Sequence, residues 1–538
     1  IFVIEFLLGI LFIGFASAFC IGEHYVFGCG SNVNESCTMN GNLSADGTCF
    51  TIGADNIVIN CNDYTINYSA SSEGYGIIAD GFDNITIKNC KIQQSNSSLQ
   101  GFNIFLNNSN NSTLENNNLT RGKGGILVMN SFNTTIKNNY GSYFEYGEST
   151  QWDVCQPFNS TEPYKYFESA IWLVDSNNAT IFNNTIQGNM SEAGLANHKG
   201  TEAGITLCRS NYSNISNNTI KATDTYGIHL KNSKHNKLLY NFVNGSSAPG
   251  ATNTNDGIIL AASQNNNVSY NTLIKCNEWG IFLAGAKNNT IHNNNASYND
   301  IVGIRIGGET SSYNKIDQNF VSNNPYGIKV EGDYNTLSSN IVYSNLYGIH
   351  LMSSYNNLTS NIVNFSEAYA LGLFGGYNLL FNNTVKDSYR GLDVSTNNSN
   401  LVLNSKIENN QYGVYLAYSS NDSFIDSYIK NSSILDIYSE NKNSSAIFLN
   451  VSFNKSNVQI DDGVIYVKWY LDVYVKDINN NPQEGAIVTI KDMFNREESY
   501  FTDENGTLPR QVVNEFYQNA QGRYYTNFYQ IIVGKMSF

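Results

Sequence analysis

Gly204-Ile205-Thr206-Leu207 returns along the chain as Gly227-Ile228-His229-Leu230, Gly257-Ile258-Ile259-Leu260, Gly280-Ile281-Phe282-Leu283, Gly303-Ile304-Arg305-Ile306, Gly327-Ile328-Lys329-Val330 and Gly348-Ile349-His350-Leu351. Looser copies follow at Ala370-Leu371-Gly372-Leu373, Gly391-Leu392-Asp393-Val394 and Gly413-Val414-Tyr415-Leu416. Successive copies are 21 to 24 residues apart, with one gap of 30. A fixed period in this range marks a solenoid, whose units cannot bury their apolar faces alone. Within each copy apolar and other residues alternate with period two, so the unit is a strand rather than a helix.

A second motif follows each first one, as in Asn214-Ile215-Ser216-Asn217-Asn218-Thr219-Ile220 and Asn357-Leu358-Thr359-Ser360-Asn361-Ile362-Val363. It implies three short strands per turn, joined by polar corners. One Asn recurs at the second corner, at 241, 271, 294, 319, 340, 361, 383 and 404. Asn tolerates the left-handed backbone of a sharp corner, and stacked amides can bond to one another as a ladder. On these motifs the chain resembles the right-handed parallel β-helix repeat family, in particular NosD-like, periplasmic copper-binding-type repeats, pectate-lyase-like proteins and archaeal cell-surface proteins. The resemblance implies an all-β fold: a right-handed single-stranded parallel β-helix of roughly 16 to 18 turns. It says almost nothing of activity.

The chain has 538 residues and a net charge of −15, with only 14% charged residues. An acidic chain without a basic stripe argues against nucleic acid as a partner. Asn supplies much of the remaining polarity, about one residue in six. The regular apolar positions between the Asn residues argue against disorder.

Residues 1–18 form an apolar run ending in Ala16-Ser17-Ala18, which reads as a secretory signal peptide that lacks its basic start. A type IV pilin start around Glu5 and a membrane anchor are the alternatives. Any membrane association is expected only through this segment or an anchor beyond the sequence. Residues 19–54 read as a cysteine-rich cap. Cys20 precedes the disulfide candidates Cys29, Cys37, Cys49, Cys61 and Cys90, whose clustering points to an oxidising compartment. No Cys-x-x-Cys occurs, so no zinc is expected. Cys208 and Cys276 read as ordinary small residues in or near coils. About thirty Asn-x-Ser/Thr sequons, Asn84, Asn178 and Asn450 among them, are candidate glycosylation sites, although Asn-rich corners produce them as a by-product.

Coils are expected over 55–462. Inserts at about 140–168, 188–203 and 244–256 interrupt them at one corner, where they could wall a cleft. Alternation then places one outward residue per coil on the first-strand sheet: Trp172, Thr206, His229, Ile259, Phe282, Arg305, Lys329, His350, Gly372, Asp393 and Tyr415. Neighbours in this series are about 4.8 Å apart. Arg305, Lys329 and His350 would form a basic run, while Trp172, Phe282 and Tyr415 would offer flat faces to sugar rings. The functional reading is a face that contacts extracellular polysaccharide or cell-surface glycan, with Trp172, His229, Phe282, Arg305, Lys329, His350 and Tyr415 as its residues. The plainer reading is a solvated sheet face.

Catalytic residues are not legible. A β-helix polysaccharide lyase resembling known ones would need a base, for which Arg305 or Lys329 could serve, and calcium is expected only in that case, near Glu331 and Asp333. A glycoside hydrolase would need two carboxylates flanking the scissile bond. No other cofactor or metal is expected, copper included, because no paired His or Met site appears. Residues 463–538 resemble a small β-sandwich of the carboxypeptidase-regulatory or Ig-like kind: Val464–Asp477, a turn at Asn481-Pro482, the strand Gly485–Ile490 and a turn at Thr502–Gly506. Nothing in the sequence fixes the assembly state.

Overall fold

The structure is a computed structural model. It describes residues 18–96, 98–142, 144, 155, 169–188, 203–223, 225–245, 256–395, 399–441 and 444–534. Residues 1–17, on which the signal-peptide expectation rests, and most of the three inserts, His198 among them, lie outside the described residues. The chain divides into two compact units, Ile1–Gly204 and Ile205–Phe538. The described residues are built of strands and irregular segments without a helix, and none of them forms a helix long and apolar enough to cross a membrane.

The first unit opens with a closed edge. Cys20–Ile21 pairs antiparallel with both Val26–Phe27 and Cys37–Met39, and Cys37–Met39 then pairs parallel with Val58–Asn60. An antiparallel strand over the first parallel one covers an edge that could template association. Disulfides staple this cap: Cys20–Cys37, Cys29–Cys49 and Cys61–Cys90, with Cα separations of 5.4, 4.1 and 4.7 Å. The last joins the ends of two paired strands, Val58–Asn60 and Thr86–Lys88, so it clamps consecutive coils. Loops of 17 to 29 residues closed in this way contribute about 3 kcal/mol each. Cys155 and Cys208 are also disulfide-bonded, which corrects the reading of Cys208 as an ordinary small residue. Cys276 is buried and free.

In the second unit each coil adds one strand to each of three parallel sheets. The first-strand sheet includes Tyr226–Lys231, Asp256–Ala261, Trp279–Ala284, Val302–Gly307, Tyr326–Val330, Tyr347–Leu351, Tyr369–Leu373, Arg390–Val394 and Tyr412–Leu416. Ile258, Ile281, Ile304, Ile328, Ile349, Leu371 and Leu392 face each other in register along the interior, each essentially unexposed. Burying such a side chain is worth about 1.5–3 kcal/mol. The repeated Gly is dictated by the closeness of the coils. A Cβ on Gly303 would lie 2.8 Å from the carbonyl oxygen of Gly327 and 2.3 Å from Val321, and one on Gly280 would lie 2.6 Å from the carbonyl oxygen of Gly303.

Rows of buried polar side chains lock the corners, and three of them are built on Asn. In one, the backbone N–H and side-chain amide of Asn294 both donate to Oδ1 of Asn319, at 2.9 and 3.0 Å. Asn319 donates to Asn340 in the same way, and the row runs from Asn218 to Asn383. A second row runs from Asn236 through Asn266, Asn289, Asn314, Asn335, Asn356, Asn378 and Asn400 to Asp422. A third includes Asn299, Asn324 and Asn345.

The expectation that one Asn serves both as corner and as ladder is corrected here. The left-handed position is the residue before each ladder Asn: Tyr240, Tyr270, Asn293, Gln318, Ser339, Ser360 and Asn382 all have positive φ, whereas the ladder residues do not. Asn404 belongs to the left-handed set, and Ser405 takes the ladder place beside it. In these rows the turn is made one residue before the amide that donates and accepts across coils.

At the far end of this unit Val464–Leu471 pairs parallel with Ser445–Leu449 and antiparallel with Gln511–Asn519. One strand is therefore both a solenoid rung and the start of an antiparallel segment. Ile487–Asp492 lies between Glu497–Phe501 and Tyr529–Gly534 in a separate three-stranded antiparallel sheet around Val488, Ile490 and Leu508.

The Asn rows make a graded prediction. Asn319→Ala strips the acceptor from two donors of Asn294, one of them a buried backbone N–H, and should destabilise the second unit by about 2–4 kcal/mol. Asn319→Ser should cost less, because Ser405 and Ser427 already serve as acceptors in line with this row. Urea unfolding of both variants checks the order.

Candidate functional site

The outward face of the first-strand sheet carries two parallel columns. In one, register pairs Ile259 with Phe282, Phe282 with Arg305, Arg305 with Lys329, Lys329 with His350, His350 with Gly372, Gly372 with Asp393 and Asp393 with Tyr415. The second column lies three residues earlier on each strand: Trp279 beside Val302, then Tyr326, Tyr347, Tyr369, Arg390 and Tyr412. The two residues between the columns, Gly280 and Ile281 for example, are both buried, which breaks the two-residue alternation of a regular strand, and ring contacts such as Trp279 to Phe282 at 4.3 Å and Tyr326 to His350 at 5.3 Å bring the columns together on one face.

The charges on this face are matched to one another. Glu331, just beyond the strand that bears Lys329, receives two hydrogen bonds from Nη2 of Arg305, at 2.9 and 3.3 Å, and one from Nε at 3.3 Å. Lys329 Nζ lies 2.7 Å from the other side of the same carboxylate. Burial alone would raise the Glu331 acid, but the hydrogen bonds from Lys329 and Arg305 hold it below the usual carboxylate range. The Arg305 guanidinium also lies over the rings of Trp279 and Phe282, 5.0 and 4.9 Å from their centroids, a cation–π arrangement. One coil further on, His350 Nδ1 is hydrogen-bonded to the Tyr369 hydroxyl, and Phe374 packs against both rings. Tyr326, Tyr347 and Tyr369 follow one another at 4.7 Å between centroids.

The protonation of this cluster follows from its burial. Desolvation pushes the His350 imidazolium down to about 4, and the charge of Lys329 adds to that shift while Glu331 opposes it. The ring is therefore neutral at neutral pH. Burial likewise pushes the Tyr369 phenol well up. Asp256 is pushed up to about 8 by burial, although its carboxylate accepts the Trp279 backbone N–H at 3.1 Å.

The residues expected to form a glycan face fare unequally. Arg305, Lys329 and His350 stand side by side and half-exposed. Trp172 is only 5% exposed and Tyr415 only 7%, so neither presents a flat face to solvent. The Arg390 guanidinium covers the Tyr415 ring at 3.5 Å, and Arg390 is itself paired with Asp393 at 2.5 Å. Phe282 is covered on one side by Arg305. His229 is 4% exposed, and burial pushes it down to about 3; it is a core histidine packed on Tyr226. The expected basic run is also smaller than its sequence suggests, since Glu331 neutralises one of its two fixed cations.

The aromatic column was missed although it has a signal. The residue just before the repeated Gly is Tyr226, Trp279, Tyr326, Tyr347 and Tyr412 in five copies, and Tyr369 precedes Ala370. Two-residue alternation carried back from Phe282, Lys329 or His350 falls on the Gly and would turn these rings inward; the pair of buried residues that breaks the alternation hides them.

Lys329→Met removes a cation that disfavours His350 protonation, so the imidazole should titrate at higher pH than in the parent. Ring-proton NMR across pH 3–7 checks this; an unmoved titration would mean that burial alone sets it.

Residues 37–256 and 203–362, together more than half of the chain, match the family described as right handed beta helix region. Residues 296–484 match the family described as periplasmic copper-binding protein (NosD). The donors do not fit copper: that stretch holds one histidine, His350, which is bound to Tyr369, one methionine, Met352, and no cysteine. Among the described residues no three His, Cys, Asp or Glu side chains are grouped as a metal would need. No curated protein gives a significant match. Among solved structures, the A-module of a mannuronan C-5 epimerase of Azotobacter vinelandii is similar at 14% identity, covering 61% of this chain and 88% of that one, with a TM-score of 0.46. The Streptococcus pneumoniae surface protein and adhesin PfbA is 13% identical over 68% and 91%, with a TM-score of 0.39. The tailspike protein of E. coli bacteriophage HK620, in complex with a pentasaccharide, is 10% identical over 93% and 86%, with a TM-score of 0.32. With three parallel sheets wound coil on coil and the family match over more than half its length, the chain belongs to the right-handed β-helix family.

Proposed function

We propose that this is an extracellular protein that contacts glycan through the outward face of the first-strand sheet, centred on Arg305, Lys329 and His350. The observation that carries the reading is the Arg305–Glu331–Lys329 ion triad set among the rings of Trp279, Phe282, Tyr326 and Tyr347. Sugars combine hydroxyls that accept charged hydrogen bonds with apolar ring faces that pack on aromatics. Because Glu331 cancels one cation, the triad keeps a single net positive charge on a chain of −15. That balance suits a neutral or sparsely acidic glycan better than a dense polyanion. The disulfide-bonded cysteines support maturation in an oxidising compartment. Binding of the full chain to a panel of neutral and acidic polysaccharides tests this. Arg305→Ala and Lys329→Ala should each weaken binding about tenfold or more, and binding indifferent to both would remove this face as the contact surface.

A second reading is favoured by one feature. The neutral imidazole of His350 is a proton acceptor at neutral pH, Tyr369 beside it carries a proton that its burial retains, and Lys329 can offset a substrate carboxylate. Such a set suits proton removal next to a carboxyl group, as a polysaccharide lyase or epimerase requires. A glycoside hydrolase is less well served, because Glu331 and Asp393 are both engaged by cations. Unsaturated ends, or exchange of solvent deuterium into a uronate polymer, should appear with the parent protein and vanish with His350→Ala. Neither product from any uronate polymer would leave the binding role alone.

A further inference from the structure

The corner between the first and second strands of each coil has its own left-handed position. Asn occupies it at 84, 111, 133, 178, 265 and 288, as steric cost favours. Over four consecutive coils it is tyrosine instead: Tyr313, Tyr334, Tyr355 and Tyr377, with φ of 59°, 59°, 59° and 58°. A bulky residue there costs about 1 kcal/mol or more. The four rings stack face to face, with centroids 5.5, 5.2 and 5.2 Å apart and planes within 11°, 9° and 9°. They are 61, 47, 48 and 52% exposed. Stacking returns about 0.5–1.5 kcal/mol per pair, so the row can hold itself together. It cannot offer ring faces to a sugar, because each inner face is covered by the next ring. What it exposes is a line of phenol edges held at one spacing by the coils beneath.

We propose that this row is a site of oxidative modification, at which neighbouring tyrosines couple to dityrosine and join adjacent coils covalently. The oxidant is hydrogen peroxide acting through a one-electron oxidant of the peroxidase class. Each of two phenols gives one electron to the oxidant and its hydroxyl proton to water. The two phenoxyl radicals form one carbon–carbon bond between ring carbons ortho to the oxygens. The hydrogens on those carbons pass through water to the oxygens, which restores both phenols. The two electrons and two protons reduce one peroxide to two waters. Neighbouring edges must tip together for the bond to form, and the exposed outer side of the row leaves room for that. The partner ring is already in place, so coupling within one molecule outruns coupling between molecules. The half-buried column of Tyr326, Tyr347 and Tyr369 is stacked as closely, but Tyr369 is only 7% exposed, so a peroxidase cannot reach that column as it reaches the corner row. The proposal is independent of the glycan reading.

The test treats the purified full chain with a haem peroxidase and peroxide. Dityrosine fluorescence is then measured in the fraction that still migrates as a monomer, and cross-linked peptides are mapped by mass spectrometry. Peptides joining Tyr313 to Tyr334, Tyr334 to Tyr355, or Tyr355 to Tyr377 are expected. Tyr334→Phe with Tyr355→Phe keeps the rings stacked but removes the inner phenols, and all three linked peptides should be lost while circular dichroism is unchanged. The proposal is overturned if the monomer fraction yields no linked peptide from the row, if coupling is confined to dimers, or if monomer fluorescence is the same in the double variant.

Discussion

Each coil is tied to the next by a side chain that does the work of backbone. An Asn accepts the N–H and the amide of the Asn one coil earlier, and then presents its own pair to the coil that follows. One such bond nets about 1 kcal/mol, but a buried donor left unmet costs more. A slip of one residue would orphan every member of a row at once. The rows therefore fix the register more firmly than the aliphatic stacks can, since neighbouring Ile, Val and Leu are nearly interchangeable.

That register is what turns sequence distance into contact. Arg305, Lys329 and His350 are more than twenty residues apart in succession, yet they are neighbours on one face. Once neighbours, they are constrained by what they do to each other. Two adjacent cations on a half-buried sheet would repel, and Glu331 sits where it can hold both. His350, next to a fixed positive charge and short of water, gives up its own. The result is a polar centre with few free charges, framed by rings that the coil spacing stacks on one another.

The winding, the period and the identity of the inward residues could be read from the text, because burial imposes a period of two and coils impose a period near twenty-two. The outward column that includes Arg305 followed from the same alternation. What alternation cannot supply is depth: it marks Trp172, His229 and Tyr415 as outward without saying that other side chains cover them. Nor does it reveal compensation: Glu331 follows Lys329 by two residues, just past the end of its strand, and alternation says nothing of the Arg305 one coil earlier that it also holds. The split between the left-handed corner and the ladder Asn was hidden for a different reason. Both positions accept Asn and Ser, in adjacent places, and the tyrosines that intrude at the left-handed one, Tyr240 and Tyr270, tell the two apart.

The direction of the amide rows has a bearing on chemical ageing. Each interior Asn must present a donor to the coil ahead, so hydrolysis of its amide to a carboxylate would set oxygen against oxygen in a dry corner. The row from Asn236 ends at Asp422, which only receives, from Asn400 and from the Ser419 hydroxyl. Burial still pushes that acid up to about 6. Asp422 is thus the place in its row where a deamidated side chain is already at home, whereas at exposed corner residues such as Asn84 and Asn178, whose amides donate to Asn56 and Asn133 of the coil before, water is at hand to replace the bond that conversion removes.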